Sequence, residues 1–214
     1  MRALPADFYD RPVLEVAPEL IGCVVVHGET SGVIVETEAY HESEPASHAF
    51  AGLTPRTEVL FGAPGLAYVY RSYGIHALLN AVCEPVGVGA AVLIRALAPL
   101  TGIELMRERR GLVAGRSARD RDLCSGPGKL AQALGVGLGD NGTSLSRGSI
   151  RIGPRVARWR EPTVSVGTRI GITHAVDLRW RFCAAGDVNV SRPRPPALGV
   201  SAGGSPSDRA GRAR

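Results

Sequence analysis

This chain has very little lysine and few aromatic residues. Lys129 is its only lysine, although lysine and arginine together number 25 against 20 acids, and aromatic residues make up 5% of the chain. Arginine therefore carries the net charge of +5, and its planar fork suits bidentate contacts with phosphate. The composition favours a polyanionic partner. The alternative is an arginine-rich composition that only reflects coding DNA rich in G and C.

Long apolar runs and paired cysteines are also missing. The longest apolar runs, such as 89–94, are too short to span a bilayer, and the first residues contain no apolar signal core. We therefore expect a cytoplasmic protein without a membrane partner. The cysteines form no C-x-x-C pair, which argues against a zinc ribbon or an iron–sulfur loop. They are scattered through the chain at Cys23, Cys83, Cys124 and Cys183.

The most informative segment is an apolar run, residues 33–40, that contains two carboxylates. If it is a strand, Glu36, Glu38 and Tyr40 share one face, because side chains alternate along a strand. Same-face neighbours lie roughly 6–7 Å apart, close to the carboxylate separations that serve glycosidic-bond cleavage. Acids on a face that should be apolar indicate a site, because an unpaired buried charge is costly. The ordinary alternative is a strand that emerges into solvent.

The remaining pattern predicts short strands and helices in one domain, residues 1–191. We predict helices over 10–20, 101–110 (opened by a capping box at Thr101) and 129–134, and strands over 23–27, 33–40, 66–70, 75–82, 90–98, 149–152 and 180–183. Residues 41–65 are polar and rich in Pro, Gly and His, which indicates a long loop with a functional role or disorder. The tail 192–214 is rich in Arg, Pro and Gly, and we expect it to be disordered.

The predicted strands 23–27 and 33–40 form a first hairpin and strands 66–70 and 75–82 a second, and tyrosines cluster at the second. Tyr73 lies at its tip beside Gly74, where an aromatic side chain either folds back onto the hairpin or inserts into a partner. Proteins that distort duplex DNA insert such wedges between base steps. Tyr68 and Tyr70 share one face of the strand leading to the tip, so they either stack on a flat ligand or belong to the core.

Three further features have weaker signals. The spacing of His41, Glu42, Glu44 and His48 matches no standard ligand pattern, so we expect no metal site. The segment 126–129, Gly-Pro-Gly-Lys, lacks Walker spacing, and either holds one phosphate near Lys129 or simply begins a helix. Arg95 lies in an apolar run and needs a partner if it is buried, and Glu38 is the obvious candidate.

Four segments together resemble the alkyladenine (3-methyladenine) DNA glycosylase family. In order they are Val-Glu-Thr-Glu-Ala-Tyr at 35–40, Tyr-Val-Tyr-x-x-Tyr-Gly at 68–74, Leu-Ile-Arg-Ala-Leu at 93–97 and Asp-Leu-Cys-Ser-Gly-Pro-Gly-Lys-Leu at 122–130. The likeness runs in register from about residue 14 to 182. It implies a mixed α/β (α+β) single domain, with a curved, mostly antiparallel sheet flanked by helices and a protruding hairpin.

The resemblance also implies a function in base excision repair. Such an enzyme binds duplex DNA, flips a damaged purine out and hydrolyses its N-glycosidic bond, without a cofactor. The resemblance assigns each role to a matching position. Glu38 is the general base, and Arg95 and the Ile170 carbonyl hold the water. Tyr40, His48 and Tyr70 form the walls of the base pocket, Asn80 rejects guanine, and Tyr73 is the intercalating residue. Glu36 has no role assigned by the family.

Lysine scarcity adds one expectation. Glycosylases that also nick the strand use an amine nucleophile, and Lys129 is remote in sequence from Glu38, so we expect a monofunctional enzyme. We also expect a monomer associated with the nucleoid. Two other classes stay open: a catalytically silent binder of damaged DNA or RNA, and a hydrolase acting on free nucleosides or sugars.

Overall fold

An antiparallel sheet of eight strands organises the part of the chain that can be described. The computed structural model describes residues 2–72, 74–112 and 119–194. The strands are β1 Cys23–His27, β2 Thr30–His41, β3 Ala67–Ser72, β4 His76–Val82, β5 Ala90–Thr101, β6 Ile150–Arg155, β7 Val164–Gly167 and β8 Arg181–Ala184. They pair in the order β3-β4-β5-β2-β1-β6, while β8 pairs with both β2 and β7.

Short helices pack against this sheet. They are α1 Ala6–Tyr9, α2 Val13–Glu19, α3 Ile103–Arg109 and α4 Pro127–Leu134. The Thr37 hydroxyl donates to the Ala17 carbonyl at 2.8 Å, which ties α2 to one face of β2. The predicted α+β class with a single domain is thus confirmed. None of the described helices has the length and apolar character needed to cross a membrane.

Strand β2 lies at the centre of the sheet and is longer than we predicted. Its pairing with β5 runs along one edge, while the other edge pairs first with β1 and then with β8. Residues 30–39 are all buried. The alternative that this strand emerges into solvent is therefore wrong, because neighbouring strands cover both of its edges and the core covers its faces.

Two bulges interrupt the β2–β5 pairing next to the acidic residues. Ile34 pairs with Leu97 and Glu36 with Ala96, so Val35 is an extra residue on β2. Thr37 then pairs with Ile94, so Arg95 is an extra residue on β5. Bulges often redirect a side chain beside a functional site. Here the second bulge places Arg95 against the acids of β2.

The second predicted hairpin is confirmed as β3 and β4, which pair from Ala67 with Ala81 to Ser72 with His76. Its tip residue Tyr73 lies outside the described residues, as do residues 195–214 of the predicted tail. Helix α4 lies close to this hairpin. A Cβ on Gly128 would stand 2.9 Å from the His76 Cβ, so glycine is required by close packing there.

Some local expectations were wrong or incomplete. The capping box at Thr101 is absent, because Gly102 occupies the N-cap of α3 with φ +71° and the Thr101 hydroxyl lies 2.7 Å from that of Ser31 instead. Strand β7 and helix α1 were not predicted. The long loop 41–65 contains two 3-10 turns, His48–Ala51 and Glu58–Phe61.

The four cysteines are all free and buried. Burial raises the pKa of Cys23 to about 11, and it raises the pKa values of Cys124 and Cys183 to about 12. These thiols therefore stay protonated at neutral pH, and a protonated thiol is a poor nucleophile and a poor metal ligand.

Candidate active site

A cleft of about 540 Å³ opens between the β3–β4 hairpin, the loop after β2 and the segment before β8. Its lining includes segment 45–48 and segment 170–174. Aromatic and arginine side chains form much of the remaining lining. These are Tyr40, His48, Arg56, Tyr68, Tyr70, Arg71 and Arg95, with Asn80 beside them.

Glu38 lies directly under this cleft and is fully buried. Its Oε1 accepts a hydrogen bond from the Ile170 amide at 2.8 Å. Its Oε2 accepts from the Tyr40 hydroxyl at 2.8 Å and from Arg95 Nη1 at 3.2 Å. All three donors belong to residues that line the cleft. The pairing of Arg95 with Glu38 that we predicted from the sequence is present.

The predicted contribution of Ile170 differs in one respect. We expected its carbonyl near the site, and that oxygen does accept from Arg95 Nη1 at 3.5 Å. The shorter contact is made by its amide, which donates to Glu38. Ile170 therefore contributes a donor to the carboxylate as well as an acceptor next to Arg95.

Glu36 lies on the same face of β2 and is fully buried as well. Its Oε1 accepts from Arg95 Nε at 2.9 Å and from Arg181 Nε at 2.8 Å. The amide and hydroxyl of Ser191 also donate to Glu36, at 2.7 and 2.9 Å. Two buried carboxylates and two buried guanidiniums thus balance in charge, as a buried ionic group requires.

The two carboxyl groups have opposite protonation tendencies. Burial raises the pKa of Glu38 above its usual value, although Arg95, the Ile170 amide and the Tyr40 hydroxyl oppose this rise. Burial acts on Glu36 too, but Arg95, Arg181 and Ser191 outweigh it and lower the pKa of Glu36. Glu36 is therefore held ionised for structural reasons, while Glu38 is the stronger base when it is ionised.

Tyr68 and Tyr70, which the sequence offered either as ligand-stacking or as core residues, both line the cleft. Tyr68 and Tyr70 stack with centroids 5.4 Å apart, and the His48 ring meets Tyr70 edge-on at 4.5 Å. His48 Nδ1 lies 3.1 Å from the Tyr68 hydroxyl. The alternation of Tyr68 and Tyr70 along the strand was the signal for this wall. Asn80, the predicted specificity residue, donates from Nδ2 to the Tyr68 carbonyl at 3.0 Å.

Arg56 is a further cleft residue that sequence reasoning missed. Its guanidinium lies 5.9 Å from the Tyr70 ring centre, and its Nη2 lies 3.3 Å from His48 Nε2. Since arginine only donates, His48 Nε2 accepts and Nδ1 carries the proton. Burial and the Arg56 charge lower the pKa of His48. The cleft therefore presents a neutral imidazole at neutral pH.

The acidic and histidine cluster after β2 is dispersed over separate partners. Glu42 accepts from the Gly89 amide, Glu44 binds Arg169, and His41 contacts Ser43 and Glu84. Across residues 2–72, 74–112 and 119–194, no three His, Cys, Asp or Glu side chains are grouped so that they could hold a metal ion.

Lys129 is exposed on α4 and does not line the cleft, whereas Pro127 of the same segment does. The Gly-Pro-Gly segment begins α4 as the sequence indicated, two residues earlier than we predicted. The lone lysine is therefore outside the lining of the cleft.

Known proteins resemble this chain over most of its length. Residues 7–188 match the family described as "Methylpurine-DNA glycosylase (MPG)". A Rhodopseudomonas palustris protein is 53% identical, covering 88% of this chain and 87% of the relative. Proteins of Granulibacter bethesdensis (50% identical, 89% and 88% covered) and Rubrobacter xylanophilus (53%, 79% and 87%) are also similar. All three carry the name "Putative 3-methyladenine DNA glycosylase".

These matches and the buried acid beneath an aromatic cleft define the class. The chain is a DNA-repair N-glycosylase, which is a hydrolase. Within that class it belongs to the methylpurine-DNA glycosylase family. The resemblance inferred from the four sequence segments is thereby confirmed.

Proposed function

We propose that this enzyme flips an alkylated or deaminated purine out of duplex DNA into the cleft and hydrolyses its N-glycosidic bond with water activated by Glu38. The observation that carries this proposal is the position of Glu38. Its carboxylate lies under the cleft and is bonded to Tyr40, Arg95 and Ile170, which line it. A base entering the cleft would bring its sugar carbon towards this group.

In the proposed reaction Glu38 accepts a proton from water while the water oxygen bonds to C1′ of the sugar. The C1′–N bond breaks and its electron pair stays on the purine nitrogen. The sugar passes through an oxocarbenium-like state, which a nearby carboxylate stabilises. Arg95 and the Ile170 carbonyl orient the water. An alkylated purine that carries a positive charge leaves as a neutral base.

The base pocket consists, in this proposal, of Tyr40, His48 and Tyr70. Aromatic faces favour a cationic purine through cation–π attraction. Because the pKa of His48 is lowered, its ring is neutral at neutral pH and does not repel such a base. Flipping costs least for damaged or poorly paired bases, which adds to the selectivity.

The enzyme is proposed to have no strand-nicking activity. A lyase step needs an amine that can form a Schiff base with the opened sugar. Lys129 is the only lysine in the chain, and it lies on the exposed side of α4, outside the cleft lining. We propose only a weak phosphate contact for it.

The test is single-turnover excision from two duplexes, one methylated and one containing a single hypoxanthine, beside the free nucleosides. We expect release of the free base from duplex, an intact strand until heat or alkali is applied, and no complex trapped by borohydride. Tight lesion binding without base release would favour a silent binder. Faster hydrolysis of free nucleosides would favour a nucleoside hydrolase.

Removing Asn80 is expected to relax discrimination against guanine. Asn80 is buried and held to the Tyr68 carbonyl, so it cannot swing away from a 2-amino group. In Asn80→Ala, excision of 7-methylguanine relative to hypoxanthine should rise roughly tenfold. Hypoxanthine lacks the 2-amino group and serves as the internal control. An unchanged ratio would remove Asn80 from the specificity site.

Tyr73 is proposed to fill the space that the flipped base leaves. Losing one base–aromatic stacking contact should weaken lesion binding roughly tenfold in Tyr73→Ala. Tyr73→Phe keeps the ring and should bind like the wild type. Titration of a fluorescent lesion-containing duplex measures both affinities. Equal binding by all three proteins would count against the wedge.

We also propose a monomer that acts on double-stranded DNA containing damaged purines and associates with the nucleoid. The catalytic domain is proposed to end at residue 191. Ser191 supports this boundary, because its amide and hydroxyl still bind the buried Glu36.

A further inference from the structure

A second buried ion pair lies beside the catalytic group and has no role in the mechanism above. Arg169 Nη1 and Nη2 bind the two carboxylate oxygens of Glu44 at 2.6 and 2.8 Å. Their side chains are 0% and 5% exposed. Replacing a buried pair of this kind by apolar residues is often neutral or stabilising, so stability alone explains it poorly.

The pair joins two segments that line the cleft. Glu44 immediately precedes segment 45–48, and Arg169 immediately precedes segment 170–174; both segments line the cleft. On its own side, Glu44 Oε2 also accepts from the Ala46 amide at 2.8 Å, which orders the turn that leads to His48. The ion pair therefore connects the starts of two segments that line the cleft.

Arg169 also contacts the strand that carries Glu38. Its Nη1 donates to the Ala39 carbonyl at 3.0 Å. Its guanidinium lies 4.6 Å from the Tyr40 ring centre and 5.3 Å from that of Trp180. The Nε atom is buried without a hydrogen-bond partner among the described residues. The side chain is thus oriented by Glu44, Ala39 and two rings.

We propose that the Glu44–Arg169 ion pair is a positioning element for catalysis, which directs the Ile170 amide at Glu38 and holds the His48 and Tyr40 walls at a fixed separation. This inference rests on the proposed function of Glu38. The reason is chain connectivity: Ile170 follows Arg169 directly, and its amide reaches Glu38 Oε1 at 2.8 Å. Small displacements of such groups cost large factors in rate.

A pH signature distinguishes positioning from a general structural role. The Ile170 amide stabilises the ionised form of Glu38, so its withdrawal moves the acid limb of the excision rate to higher pH. The other ionisable groups around Glu38 carry no substitution in this comparison. They are Arg95 on β5, Glu36 and Tyr40 on β2, Arg181 on β8 and Tyr70 on β3.

The test uses the full chain with Arg169→Gln, Glu44→Gln, the double variant and Arg169→Lys. We expect each single glutamine variant to slow single-turnover excision by roughly ten- to a hundred-fold and to move the acid limb upward. The double variant should be no slower than the worse single one, because both changes break the same contact. Arg169→Lys keeps the charge and should recover part of the rate.

Arg155→Gln is the matched control. Arg155 binds the carbonyls of Glu19 and Ile21 at 2.9 and 2.8 Å and does not line the cleft. This variant should lose thermal stability while keeping its rate within about twofold and its acid limb in place. An Arg169→Gln enzyme that behaves in the same way would overturn the inference, as would additive losses in the double variant.

A second readout separates this inference from the proposed function. The Glu38 carboxyl can be titrated by carbon NMR in the free protein, with Glu38→Gln identifying its signal. An upward pKa shift in Arg169→Gln supports positioning even if no duplex tested is cleaved, whereas an unshifted titration overturns it. Absence of excision by the wild type would contradict the proposed function instead.

Discussion

Glu38→Gln should lower the single-turnover excision rate by roughly a hundred- to ten-thousand-fold while leaving lesion affinity nearly unchanged. Glutamine has the same size and still bonds to Tyr40, but it cannot accept a proton from water. The three cleft residues that contact Glu38 stay in place, so the base pocket persists. The loss should therefore appear in the chemical step, and binding should be retained.

The pH dependence of the wild-type enzyme strengthens this test. Burial raises the pKa of Glu38, so the ionised base forms at a higher pH than it does for an exposed glutamate. The wild-type excision rate should fall as the pH drops below the pKa of Glu38. The residual rate of Glu38→Gln should show no such fall. Glu15→Gln, on the exposed side of α2, is the control and should match the wild type. A Glu38→Gln enzyme with full rate would rule out the proposed base.

Glu36→Gln should instead destabilise the protein by about 3–5 kcal/mol, because it leaves parts of two buried guanidiniums without their charged partner. Glu36 accepts from Arg95 and Arg181 as well as from both donors of Ser191. Glu38→Gln is the matched comparison on the same strand face. It should lose much less stability, since burial already disfavours the ionised form of Glu38.

Urea unfolding as a function of pH measures this difference. The pKa of Glu36 is lower in the folded than in the unfolded chain, so its stabilising contribution is present above the unfolded pKa and is lost as pH falls through the folded value. The difference in unfolding free energy between the wild type and Glu36→Gln should therefore become smaller as the pH falls. Equal losses in the Glu36 and Glu38 variants, or a gap that does not depend on pH, would contradict the assignment.

Much of the fold could be predicted from local pattern. Both hairpins, the long central strand and the helix after Gly126 follow from alternation, turn residues and helix-start signals. The failures have identifiable physical causes. Strand β7 is only four residues long, Val164–Gly167, and helix α1 is equally short, so neither has enough residues for a period to emerge. At Thr101, tertiary contacts with β2 replaced the capping box.

Some features of the candidate site could also be predicted from local pattern, and others could not. Alternation placed Glu36, Glu38 and Tyr40 on one face of β2, and both acids meet Arg95 there. The extra residue that turns Arg95 inward depends on a mismatch between two strands more than 50 residues apart, which no local pattern records. The contacts of Glu44 with Arg169 and of Ser191 with Glu36 join still more distant segments.

The sequence by itself determined which chemistry is available: two acids in an apolar strand, a row of tyrosines, abundant arginine and a single lysine. The four segments also identified the family. Only the tertiary structure decided which acid is held ionised by two arginines, Glu36, and which lies under the cleft as the proposed base, Glu38. That choice depends on desolvation and on the number of donors around each carboxylate, and both are set by segments that meet only when the chain folds.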